Sequence, residues 1–159
     1  MIYRLLLLGL LAAPPVLGQD LTITRDHAEA TTVHPGDWSA FRRIDIQEKD
    51  KDGQNHVFSG VAVSDLLQKA GVAMGPQLRG KNMAQYVVVT AADNYKVVFA
   101  LPELDSVFTD RTVLLVDRMD GKPLPEGRGP YRIIVPGEKK PARWIYEVRS
   151  LSVHFAKDE

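Results

Sequence analysis

Short runs of β-branched and aromatic residues, each closed by a turn-forming pair, recur along the chain and leave little room for long helices. QYVVVT (85–90) and YKVVFA (95–100) are two such runs. The Ala91-Ala92-Asp93-Asn94 segment between them predicts a hairpin, because asparagine tolerates positive φ. Leu21-Thr22-Ile23-Thr24-Arg25 and Arg43-Ile44-Asp45-Ile46-Gln47 alternate apolar and polar with period two, as half-buried strands do. Asp52-Gly53 predicts a turn that returns the chain through His56-Val57-Phe58. TVLLV (112–116) is apolar enough to be buried on both faces, Asp120-Gly121 turns the chain again, and YRIIV (131–135) and VRSLSVH (148–154) supply the last strands. Three short helices are expected. Ser64 caps one over 65–70 that ends at Gly71, DWSAF (37–41) forms a single turn, and another starts at Leu101-Pro102. The fold class that follows is α+β, a β-rich mixed-sheet domain with two or three short helices.

Residues 1–18 read as a secretory signal: Arg4 precedes an apolar run over 5–13, and Val16-Leu17-Gly18 forms a small-residue cleavage site. Pro14-Pro15 ends that run short of the ~20 apolar residues a membrane span requires, so no membrane insertion is expected after cleavage. The expected organisation is a signal peptide at 1–18 and one domain at 19–159, delivered to the periplasm or secreted. The chain has no cysteine, which excludes a disulfide framework, thiolate metal sites and cysteine nucleophiles. Twenty basic residues balance twenty acidic ones, so no net field favours nucleic acid or anionic membranes. The local balance is uneven. Between 118 and 149 there are eight basic residues against four acidic ones, which directs any anionic ligand to the C-terminal third.

GPQLRGKN (75–82) approximates a phosphate-binding loop, but a helix precedes it and a strand follows, the reverse of what that motif needs. His27, His34, His56 and His154 lack the short spacing that points two imidazoles at one metal, and a site built from His27 and His34 is the weakest alternative. No GxSxG elbow or Ser-x-x-Lys pair supports a hydrolytic nucleophile. The informative stretch is GRGPYRIIVPGEKKPARW (127–144). After its strand, a loop presents Lys139, Lys140 and Arg143 with backbone N–H groups around Gly137, a chemistry suited to phosphate or another oxyanion, and Trp144 anchors the far end in the core.

That stretch, with FSGVAVSDLLQKAGV (58–72), VVVTAADNYKVVFALPELD (87–105) and VLLVDRMDGKPLP (113–125), resembles the molybdopterin-binding domain of the sulfite-oxidase family. The resemblance implies a β-rich α+β domain in which the loop before the Arg143-Trp144 pair lies near a pterin. Gly137, Lys139, Lys140 and Arg143 are then the positions that touch the pterin or its phosphate. In the family's enzymes a cysteine thiolate upstream of the GVxxxDLL block binds molybdenum. Here that segment is RRIDIQEKDKDGQNHVF (42–58) and offers only harder donors such as Glu48 or Asp50. The single Arg4 of the leader points to export of an unfolded chain, ahead of any cytoplasmic cofactor insertion. Molybdopterin is thus the cofactor the family implies, and no metal site is expected. Two functions stand against each other. One is a non-catalytic periplasmic module that binds or senses a small anion or a protein partner. The other is a molybdopterin-dependent oxidoreductase with non-thiolate ligation.

Overall fold

The computed structural model describes residues 19–156, so the leader expected at 1–18 lies outside the described residues. The strands are β1 (Leu21–Arg25), β2 (Thr31–Val33), β3 (Ile44–Lys49), β4 (Asn55–Ala62), β5 (Gln85–Ala91), β6 (Lys96–Ala100), β7 (Leu114–Met119), β8 (Lys122–Pro123), β9 (Arg132–Ile134) and β10 (Val148–Phe155). One α-helix, α1 (Val63–Lys69), follows β4 directly. The short helices expected near 37–41 and 101 are present as 3-10 turns, Pro35–Ala40 and Leu101–Leu104. Two more such turns, Gly75–Gln77 and Gly80–Ala84, occupy the GPQLRGKN stretch between α1 and β5. No described helix is long and apolar enough to cross a membrane.

The strands form two five-stranded sheets. The first has the order β2-β1-β10-β5-β6, with β1 parallel to β10 and the other pairs antiparallel, which makes it mixed. The second runs β3-β4-β7-β8, and β9 also pairs with β7. Period-two patterning places the core. Val87, Val89 and Ala91 of β5, Val97 and Phe99 of β6, and Leu21 and Ile23 of β1 are buried in one hydrophobic cluster. Leu114, Leu115 and Val116 of β7 join it without alternation, as the apolar run over 112–116 predicts. Burying side chains of this size contributes roughly 1.5–3 kcal/mol each, the term that stabilises a domain with no cross-links.

Three local features decide how these elements meet. Asn94 adopts φ 67° in the β5–β6 turn, and Asp120 and Gly121 adopt 52° and 74° between β7 and β8, as the turn residues predict. Ser64 does not cap α1. The helix begins two residues earlier, at Val63, because β4 runs straight into it and the Val63 N–H is satisfied by the Val113 carbonyl at 3.0 Å. Gly71 does end it, with φ 79° and its N–H bonded to the Gln68 carbonyl at 2.9 Å.

Gly60, on β4, lies where the β4–β7 register shifts between Ser59 and Gly60. A Cβ there would sit 2.2 Å from the Leu115 carbonyl oxygen and 2.6 Å from the Val116 Cα, both backbone atoms that cannot turn aside. Gly60→Ala is therefore expected to cost about 1–3 kcal/mol by forcing β7 away. An unchanged urea midpoint would show that the two strands are not held this closely.

Candidate functional site

The expected loop does not assemble a cradle from all its cations. Gly137, at φ 72°, is exposed with nothing near the position of a Cβ. Lys139 and Lys140 are exposed on the same loop. Arg143 is not available to an anion, because its guanidinium donates to Glu138 at 2.7 and 2.5 Å and to Glu103 at 3.0 Å. It also lies over the Phe99 ring, 4.4 Å from the centroid, and reaches the Val98 carbonyl at 3.4 Å. Arg143 therefore clasps the loop to edge strand β6. Its pKa is raised because the hydrogen bonds and charges of Glu103 and Glu138 outweigh its burial. This pairing has a simple cause: Glu138 sits inside the basic loop, and Glu103 arrives from a distant turn.

The structure instead concentrates positive charge around Asp50, in the turn after β3. Arg132 is the first residue of β9, fully buried, and donates to both Asp50 oxygens at 2.9 and 2.6 Å. Arg128 adds a third side-chain contact at 3.2 Å, and the Lys51 N–H a fourth hydrogen bond at 2.7 Å. Burial pushes the Asp50 carboxyl up. The Arg132 and Lys51 hydrogen bonds and the two guanidinium charges win, and lower it from 3.8 to about 2. The Arg132 guanidinium also lies 4.4 Å from the Tyr146 ring centroid, 5.2 Å from that of Phe58 and 5.5 Å from that of Trp144. Its Nε is buried without a hydrogen-bond partner.

Lys51 lies over the other cations' aromatic neighbour, with Nζ 4.5 Å from the Tyr146 centroid. Its ammonium makes no ion pair among the described residues, and its pKa is lowered by burial and then by the Arg132 and Arg128 charges. Two guanidiniums thus share one carboxylate, with the Lys51 ammonium close to both. Lys51, Gly127, Trp144 and Tyr146 line a cavity of about 360 Å³ beside this cluster. A larger cleft, about 630 Å³, is bounded by Trp38, Leu124, Pro130 and Tyr131, with Asp117, Arg118, Glu126 and Glu147 as its charged groups. Asp117 pairs with Arg43, and Arg118 donates to the Gly121 carbonyl at 3.3 Å. The smaller cavity has the better claim to bind an anion, because Lys51 in its lining stands with the Arg128 and Arg132 guanidiniums around the Tyr146 ring.

The histidines do not meet. His34 pairs with Asp20 at 2.8 Å, His154 with Asp26 at 2.8 Å, and His56 lies between Asp120 and Asp52 at 2.6 and 3.1 Å. Those carboxylates raise the His56 pKa, the Asp120 hydrogen bond most of all. Among the described residues no group of three or more His, Asp or Glu is placed to hold a metal. Sequence reading passed over Arg132, although an arginine inside the apolar run YRIIV is a signal in itself. A buried guanidinium needs a carboxylate, but the sequence cannot say which of twenty acids supplies it.

Comparison with known proteins places this geometry. The crystal structure of the sulfane dehydrogenase SoxCD from Paracoccus pantotrophus superposes with a TM-score of 0.64 at 20% identity. The match covers 86% of this chain but only 38% of that one, so the chain spans well under half the length of the dehydrogenase. At this identity the likeness concerns the fold. No curated protein matches the chain. The family model described as the oxidoreductase molybdopterin binding domain matches residues 29–156, nearly all of the described structure. The chain, which has no cysteine, belongs to the oxidoreductase molybdopterin-binding domain family.

Proposed function

We propose that this domain is a non-catalytic periplasmic module that binds or senses a small anion and has given up molybdenum chemistry. The observation that carries the proposal is the cluster at Asp50, where Arg132, Arg128 and Lys51 face one carboxylate beside a cavity. Lys51 is the cation in the cavity lining, with the Arg128 and Arg132 charges behind it around the Tyr146 ring, and each charge-assisted hydrogen bond to an incoming anion is worth ~1.5–3 kcal/mol. Lys139 and Lys140, exposed on the neighbouring loop, add to the field that draws the anion in.

The donor set fits the anionic part of a pterin cofactor better than its metal. The segment 42–58, where the family's enzymes carry a thiolate, is the β3–β4 hairpin and contains no sulfur. Of the carboxylates it offers as substitutes, Asp50 is consumed by four hydrogen bonds and cannot also ligate a metal. Asp45 is exposed and Asp52 is paired with His56, which leaves Glu48, half-buried on β3. A lone carboxylate is a poor replacement for thiolate ligation.

Family membership favours a second reading, a molybdopterin-dependent oxidoreductase with Glu48 in the thiolate's place. Protein recovered from its own host's periplasm separates the two. We expect neither molybdenum nor pterin fluorescence in stoichiometric amount, together with saturable binding of acetate or sulfate that Lys51→Met weakens roughly tenfold or more. Stoichiometric molybdenum with pterin would overturn the proposal in favour of the oxidoreductase, and recovery from the cytoplasm alone would overturn the location.

A further inference from the structure

The cavity carries charge of both signs. Lys51 reaches it from the β3–β4 turn, with the Arg128 and Arg132 guanidiniums around the same Tyr146 ring. Asp93 and Glu147 line it as well. These two acids arrive together, because the Ala92 N–H donates to the Glu147 carbonyl at 3.0 Å and so fixes residue 147 against the β5–β6 turn that bears Asp93. Neither acid forms an ion pair with Lys51 or any other cation among the described residues. Asp93 accepts the Tyr95 N–H at 2.9 Å through one oxygen, and the Glu147 carboxylate has no hydrogen-bond partner among the described residues.

The backbone holds Glu147 in place at a cost. Its φ of 49° lies in the left-handed region, which a glutamate rarely adopts without being held there. The Ala92 bond on one side and the Val148 N–H to the Tyr131 carbonyl at 2.9 Å on the other hold it. Tyr95 and Tyr146, also in the lining, offer ring faces of the kind that attract an ammonium group. A volume of about 360 Å³ is at the small end of ligand cavities.

We propose that the cavity binds a small zwitterion, such as an amino carboxylate, with its oxyanion at Lys51 and its ammonium at Glu147 and Asp93. The inference rests on the anion-binding reading for one end of the ligand and adds the other. A pure anion would leave the Asp93 and Glu147 carboxylates of the lining unmatched, whereas a zwitterion matches charge of both signs.

Titration of the protein, followed by amide chemical shifts in NMR, tests this with three matched probes: β-alanine, propionate and propylammonium. β-Alanine is expected to give saturable shifts at Lys51, Tyr95 and Glu147, and either half alone to bind roughly tenfold or more weakly. Lys51→Met and Glu147→Gln are each expected to weaken β-alanine roughly tenfold while leaving the thermal midpoint near that of the parent, since neither side chain is buried. Propionate binding as tightly as β-alanine, with Glu147→Gln silent, would overturn the zwitterion and leave the anion site standing. No saturation with any of the three would overturn both.

Discussion

Asp50→Ala is expected to remove about 3–5 kcal/mol of stability, read as a fall in the urea midpoint, because it strands a buried guanidinium with no counter-charge. Arg132 is wholly inaccessible and Asp50 only 4% exposed, so water cannot replace the lost carboxylate. Arg128, whose side chain is about one third exposed, can turn to solvent when it loses the same partner, so Arg128→Gln should cost far less. A paired control separates charge from packing. Replacing both members, Asp50→Leu with Arg132→Met, should recover most of the loss, since apolar side chains of similar volume need no partner. If Asp50→Ala unfolds at the parent's midpoint, the cluster is not the internal keystone described here.

The same pair sets an acid limit. A carboxyl held at about 2 in the folded state against 3.8 unfolded contributes stability in full above 3.8 and loses it as pH falls through 2. Unfolding measured between pH 5 and 2 should therefore show a falling midpoint. In the doubly apolar variant the part of that fall due to Asp50 should be missing.

Trp144→Ala is the second large effect, expected at about 3–5 kcal/mol for a buried indole. Trp144 is 3% exposed, donates from Nε1 to the Val135 carbonyl at 3.0 Å, and meets Phe58 edge-on with centroids 6.1 Å apart. It closes the basic loop onto β9 and forms part of the cavity wall. Trp144→Phe keeps much of the contact and loses the hydrogen bond, so it should cost about 1 kcal/mol beyond its change in volume. Equal urea midpoints for the alanine and phenylalanine variants would show that packing at this position contributes little.

Strand positions were legible wherever local chemistry decides them. The β5–β6 hairpin, the Asp120-Gly121 turn and the end of α1 at Gly71 rest on φ preferences and period-two patterning that a short window of residues contains. β2 and β8, of three and two residues, were not legible, because so few residues carry no periodicity and their pairing comes from a neighbour already in place. The Ser64 cap failed for a related reason. The start of α1 is set by the strand that feeds it and by a Val63 N–H bond to a carbonyl fifty residues away, which no local rule contains.

The candidate site divides along the same line. Composition and the run of bases over 118–149 determined that the C-terminal third would be the electropositive part, and the missing cysteine determined that no thiolate could hold a metal in this fold. Which cations stay uncompensated was decided only by tertiary structure. Arg143 is quenched by Glu103, forty residues distant, while Arg132 and Arg128 converge on Asp50 from about eighty residues away and leave Lys51 beside the cavity. Charge is additive along a sequence, but its field depends on separation in space, and a distance between residues 50 and 132 exists only once β3, β4, β7 and β9 have paired.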